Sequence, residues 1–128
     1  MKKGKKKILI VDDDESILKV FTRILQKQGY ETDTAKTGKE ALEKCKTRFF
    51  NLALIDIKLP DIDGTELLEQ LNKNHPDMIK IMITGYPSTN NHVKSLNMGA
   101  AAYLIKPINP DDLLETLKKK LKKKKAEN

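Results

Sequence analysis

The sequence predicts one α/β domain, a doubly wound parallel sheet with helices on both faces. Three observations predict it. Short apolar runs alternate with amphipathic stretches five times over 128 residues. The runs are largely uninterrupted, as strands buried on both faces are. The stretches between them open on acids or capping residues, and several close on glycine. The length suits a single domain able to bury a core without staples.

Each element has its own signal. Lys7–Val11 is a continuous β-rich run, and Asp12-Asp13-Asp14-Glu15 gives the acidic start of a helix. That helix carries Ile17, Val20, Phe21, Ile24 and Leu25 at helical spacing and stops at Gly29. Tyr30–Ala35 is a more polar strand suited to a sheet edge. Gly38–Lys46 reads as a short helix around Ala41, Leu42 and Cys45. Leu52–Ile55 forms the third strand, ending at Asp56, and a loop with Pro60 and Gly64 follows. Thr65–Leu71 is helical, with Leu67, Leu68 and Leu71 inward; Ile79–Thr84 is the fourth strand. A helix then passes Val93, Leu96 and Met98 to Gly99, and Ala102–Ile105 is the fifth strand. Asn109-Pro110-Asp111-Asp112 starts the last helix, with Leu113, Leu114, Leu117 and Leu121 as its apolar stripe.

Composition narrows the function classes. The net charge of +7 sits at the ends: residues 2–7 hold five Lys and residues 118–125 hold seven. Residues 8–117 carry 13 basic and 17 acidic side chains, a net of −4. The lysine runs have no aromatic interleaving, so a solvated helix end is expected rather than a specific nucleic-acid site. A lone Cys45 excludes an intrachain disulfide, and His75 and His92 have no metal-ligand spacing with it. No apolar run is long enough to span a membrane, and none follows the basic N-terminus as a secretory signal would. A cytoplasmic protein is expected, without membrane association.

Parallel doubly wound sheets bind ligands outside the carboxyl ends of their strands, where the strand order reverses. At those ends stand Asp12 and Asp13, Asp56, Thr84 and Lys106. A 2-1-3-4-5 strand order makes the first and third strands neighbours and gathers three carboxylates opposite a hydroxyl and an ammonium. Two carboxylates 4 Å apart repel by about 4 kcal/mol at an effective dielectric near 20. Fold stability gives no reason for such a cluster; a hard divalent cation does. Asp56 then suits the nucleophile of aspartyl-phosphate chemistry, with Thr84 and Lys106 on the remaining phosphoryl oxygens. The same crowding predicts that Asp13→Ala stabilises the metal-free protein.

From about Lys7 to Leu121 the chain resembles a response-regulator receiver domain. The pieces are Ile-Leu-Ile-Val-Asp12-Asp13, Leu-Ile-Asp56-Ile-Lys-Leu-Pro60 with Asp63-Gly64, Ile-Thr84-Gly85, and Tyr103-Leu-Ile-Lys106-Pro107. The resemblance implies a flavodoxin-like (βα)5 fold with strand order 2-1-3-4-5, over residues 7–121, between basic tails 1–6 and 122–128. It implies Mg²⁺, with Mn²⁺ as a substitute, on Asp12, Asp13, Asp56 and the Lys58 carbonyl. It implies phosphorylation of Asp56 by a histidine kinase or histidine phosphotransfer protein, assisted by Thr84 and Lys106. Tyr103 matches the aromatic that turns inward with Thr84 on phosphorylation, and Lys106–Pro107 the family's cis peptide. Lys58 and Tyr86 occupy the positions that tune phosphoryl lifetime, and the pair resembles that of single-domain phosphorelay intermediates. Such a domain is a signalling phosphoacceptor rather than an enzyme, and passes its signal to a downstream protein through the face made by the fourth helix, fifth strand and fifth helix. Only seven residues follow Leu121, so a stand-alone regulator or an excised receiver is expected. Ala101-Ala102 replaces the Asp-Asp pair of relatives that dimerise by that face, so a monomer is expected.

Two other readings compete. Asp61-Ile-Asp63-Gly64-Thr65 spells the nucleophile motif of haloacid-dehalogenase-type phosphatases, but it lies five residues past the strand-end Asp56. Counted as a calcium loop, the same stretch places Leu59 and Gln70 at ligand positions and fails. A phosphorylation-independent interaction module would not need the full set of acidic, hydroxyl and lysine residues.

Overall fold

The computed structural model describes residues 4–126, the side chains of 91 and 123–126 excepted. Ten elements alternate: β1 Lys7–Val11, α1 Glu15–Lys27, β2 Glu31–Ala35, α2 Gly38–Thr47, β3 Leu52–Asp56, α3 Gly64–Asn74, β4 Ile79–Thr84, α4 Thr89–Asn97, β5 Ala102–Ile105 and α5 Pro110–Ala126. The strands form one parallel sheet in the order β2-β1-β3-β4-β5. This is the flavodoxin-like arrangement the sequence predicts, with the polar β2 at an edge.

The period-two alternation of strand side chains divides the core. Ile8, Ile10, Leu52, Leu54, Ile81 and Ile83 face one side and pack with Leu18, Phe21, Leu25, Leu113 and Leu117 of α1 and α5. Leu9, Val11, Ala53, Ile55 and Met82 face the other and pack with Ala41, Cys45, Leu67, Leu68 and Leu71 of α2 and α3. Both faces are closed, which is why these strands are apolar on both alternations, with the exception of Lys80, whose buried ammonium donates to the His75 carbonyl at 2.7 Å.

Two helices seat differently from their apolar pattern. In α1 the buried positions are Leu18, Phe21 and Leu25, while Val20 is 48% exposed. Ile17 and Ile24 pack partly buried on the same cluster, so of the five expected positions only Val20 turns outward, and Leu18 packs inward beside them. In α4 Val93 and Leu96 are exposed and Ser95 is fully buried. The helix ends follow the expected chemistry. Asp14 caps α1 by accepting from the N–H groups of Ser16 and Ile17 at 2.9 and 3.4 Å. Gly29 and Gly99 close α1 and α4 at φ of 93° and 98°, a region that side chains disfavour. Helix α5 continues through the lysine run to Ala126; residues 1–3 and 127–128 of the two basic tails lie outside the described residues.

Candidate functional site

Backbone pairing beyond the strand ends fixes the residues that stand there. The Asp12 N–H donates to the Ala35 carbonyl at 3.0 Å, that of Ile57 to Ile83 at 2.9 Å, and that of Lys106 to Thr84 at 2.8 Å. The ladders therefore run one residue past the strands, and side chains leaving there have little freedom. Gly64 tightens the same end. Its N–H donates to the Ile57 carbonyl at 2.6 Å, and a Cβ there would lie 2.4 Å from the Asp56 carbonyl oxygen. No side chain fits where α3 begins against β3.

Asp12, Asp13 and Asp56 each offer a carboxylate oxygen, all within 4.8 Å of one another. Asp12 and Asp56 are buried, and Asp13 is exposed at the mouth. The Lys106 ammonium reaches in from the end of β5, 2.9 Å from Oδ2 of Asp12 and 3.5 Å from Oδ2 of Asp56. The Lys58 N–H donates to Oδ1 of Asp56 at 3.3 Å. A cleft of about 490 Å³ opens over the cluster, lined by Asp12, Asp13, Asp14, Asp56, Lys58, Gly85, Tyr86 and Lys106. The Lys58 ammonium lies 4.6 Å from the centre of the Tyr86 ring, a cation–π contact at its rim.

The electrostatics are those of a site with too much negative charge. Burial, then the neighbouring Asp12 carboxylate, push Asp56 up to about 6 against the pull of Lys106 and the Lys58 N–H. Burial works against the charged form of Lys106, but its hydrogen bond to Asp12 and the two carboxylate charges outweigh it and raise its pKa. One ammonium does not balance the buried carboxylates.

Thr84 and Tyr103 do not line this cleft. Thr84 is 1% exposed, and its Oγ1 accepts the Tyr86 N–H at 2.9 Å. Tyr103 lies toward α4, its hydroxyl buried and its ring stacked on His92. The Lys106–Pro107 peptide is cis.

The competing phosphatase motif is absorbed by capping. Both oxygens of Asp61 accept N–H groups at the start of α2, from Gly38 and Lys39 at 2.9 Å each, and these bonds hold its carboxyl below the usual range. Asp63 caps α3, accepting from the Thr65 N–H at 2.8 Å and hydroxyl at 2.7 Å. Neither lines the carboxylate cleft. The sequence carried no sign that Asp61 would tie the β3–α3 loop to α2, because that contact spans 23 residues.

The response regulator receiver domain model matches residues 8–118. The chain belongs to that family. Among solved structures, this receiver domain is 55% identical to a CheY-like response regulator receiver domain protein from Methanospirillum hungatei JF-1. The TM-score is 0.95, over 98% of this chain and 100% of the other. It is 38% identical to the beryllofluoride-activated NtrC4 receiver domain, whose solution structure is a dimer, with a TM-score of 0.88 over 92% of this chain and 98% of that one. The transcriptional regulatory protein ZraR of Escherichia coli O157:H7 is 37% identical over 114 residues, which are 89% of this chain and 26% of ZraR. The receiver domain thus spans about a quarter of the length of such curated relatives. As a receiver domain it is a phosphoacceptor of two-component signalling, a class that takes phosphoryl groups from histidine kinases. Among the described residues no helix is long and apolar enough to cross a membrane.

Proposed function

We propose that Asp56 is the phosphoacceptor and that Asp12, Asp13, Asp56 and the Lys58 carbonyl hold Mg²⁺. The observation that carries this reading is the uncompensated carboxylate cluster: three oxygens within 4.8 Å, two of them on buried side chains, facing one ammonium. The donor set is all oxygen and hard, which fits Mg²⁺ and admits Mn²⁺. Bound there, the cation would neutralise charge on the cluster and on phosphoryl oxygens.

The residues divide the remaining work. An Asp56 carboxylate oxygen attacks phosphorus and forms a P–O bond. The P–N bond of a phosphohistidine, or the P–O bond of an acyl phosphate, breaks and its electron pair leaves with the donor. Lys106 moves its attention from Asp12 to a phosphoryl oxygen, supplying positive charge where the transfer places negative charge. Thr84 gives up the Tyr86 N–H and turns its hydroxyl to the phosphoryl group, which favours the inward rotamer of Tyr103, the one its buried hydroxyl already occupies. Lys58 and Tyr86, already paired at the rim, shield the acyl phosphate from water. The domain assists its own phosphorylation and dephosphorylation and does not turn over a free substrate.

The donor is a histidine kinase or a histidine phosphotransfer protein of the cytoplasm, and the phosphorylated domain presents its α4-β5-α5 face to a downstream protein. Ala101 and Ala102 leave that face without an acidic pair, in keeping with a monomer. A metal titration followed by NMR tests the site. Mg²⁺ shifting the amides of Asp12, Asp13, Asp56 and Lys58, with the shifts lost in Asp13→Ala, supports the reading; equal affinity in that variant contradicts it.

A further inference from the structure

We propose that His92 is a positioning residue for Tyr103: its imidazole, stacked on the phenol ring, holds that ring in its buried rotamer and so sets how readily the domain responds to a phosphoryl group. The inference rests on the reading above, in which the inward rotamer of Tyr103 is coupled to Thr84.

His92 stands on α4 and Tyr103 on β5. Their ring centroids are 4.6 Å apart and their planes 4° from parallel. Tyr103 packs partly buried against the α2–α3 side of the core. Its hydroxyl is buried with no hydrogen-bond partner. An unpaired buried phenol is unfavourable, and an outward rotamer returns it to water. The buried rotamer therefore needs a contact that offsets this cost, and the imidazole face supplies one.

The surroundings leave the ring room to move. A cleft of about 280 Å³, lined by Pro87, Ser88, Thr89, His92, Tyr103 and Ile105, opens beside the stack. Helix α4 is itself seated with unmet demands. Ser95, one turn from His92, is buried with its hydroxyl unpartnered, while Val93 and Leu96 point outward. Each of these two hydroxyls is buried without a partner, a cost that the packing of α4 and β5 must offset. A stack that favours the buried ring then raises affinity for any ligand that also favours it, by the same factor. For one aromatic pair that factor is about 2- to 10-fold.

The test uses His92→Ala, His92→Phe and Tyr103→Phe in the whole chain at pH 8. Rotamer populations of Tyr103 are read from side-chain three-bond couplings, and beryllofluoride affinity in Mg²⁺ from a titration. His92→Ala is expected to move the ring outward and weaken beryllofluoride binding about 2- to 10-fold. His92→Phe restores both, and Tyr103→Phe, lacking the orphaned hydroxyl, keeps its ring buried. Unchanged couplings in His92→Ala, or a change that His92→Phe does not reverse, overturn the proposal. The couplings are measured without ligand, so they decide the stack even if the parent chain takes up no beryllofluoride, a result that would overturn the phosphoacceptor reading and the linkage with it.

Discussion

The Lys106 ammonium lies 2.9 Å from Asp12 but 3.5 Å from Asp56, so the lysine is paired first with the carboxylate beside the acceptor. Without a metal, Asp12 takes the larger share of the Lys106 charge. Asp56 is left buried and under-compensated, and its raised pKa follows from that. The arrangement stores a demand for positive charge at the atom that is to carry a phosphoryl group.

Asp56→Asn should therefore stabilise the metal-free protein at neutral pH. The folded protein holds this proton up to about pH 6, whereas an exposed aspartate releases it near 3.8. A raised carboxylate pKa means the folded state binds more protons across that window, so stability falls as pH rises from about 4 to about 6 and stays low above it. Fully realised, the shift corresponds to about 3 kcal/mol; with water reaching the cleft, about 1–2 kcal/mol is expected. Urea unfolding in EDTA at pH 5 and pH 7 checks it: the variant should gain more at pH 7. The structure also moves the strain away from Asp13, which is exposed. Asp13→Ala should stabilise less than Asp56→Asn under the same conditions.

Gly64→Ala should be severely destabilising. The added Cβ meets the Asp56 carbonyl oxygen at 2.4 Å and the Ile57 Cα at 2.6 Å, both backbone atoms. Neither can swing aside, so α3 or the end of β3 must shift. A loss of about 2–4 kcal/mol is expected, comparable to overpacking a core. Phosphorylation should fall with it, because the displaced segment carries the acceptor. Thermal melts and acetyl phosphate labelling of the same sample measure both.

Asp61→Ala separates the two readings of the Asp-x-Asp-Gly-Thr stretch. It leaves the Thr37 cap in place but removes the carboxylate that accepts the Gly38 and Lys39 N–H groups, and should cost about 1 kcal/mol. The depressed pKa of Asp61 gives the pH sense: its contribution is present above the ordinary carboxylate range and is lost as pH falls through the lower folded value. Labelling at Asp56 should be unchanged. Labelling abolished in a folded Asp61→Ala protein would contradict the assignment.

Removing either rim side chain should shorten the acyl phosphate lifetime. The Lys58 ammonium and the Tyr86 ring support each other at 4.6 Å, so Lys58→Ala and Tyr86→Ala are expected to be non-additive. Decay of the phosphorylated protein after donor removal, followed by intact mass, should be faster by about 2- to 5-fold in each, given a screen worth an exposed cation–π contact. Decay as slow as the parent's in both variants would leave the pair without that role.

The fold was legible because β1, β3, β4 and β5 are mostly apolar runs, with only β2 polar throughout most of its length. β4 falls on Ile79–Thr84 and β5 on Ala102–Ile105, where the sequence pattern placed them. The cluster was legible for a related reason: in a parallel sheet, the residue after each strand is where ligand chemistry sits. What the sequence left hidden depends on contacts between distant segments. Nothing local marks Val20 as outward and Leu18 as inward, since both are apolar and the choice is made by where α1 meets the sheet. Asp61 reaching α2 and His92 stacking on Tyr103 are likewise tertiary contacts, and neither residue type at its position implies its partner.

Intact-mass spectrometry after incubation with acetyl phosphate, with and without Mg²⁺, tests the central claim most directly. The account predicts a gain of one phosphoryl group that requires Mg²⁺ and is absent in Asp56→Asn, while Asp61→Asn labels like the parent. A gain that persists in Asp56→Asn, or that proceeds equally in EDTA, would contradict it.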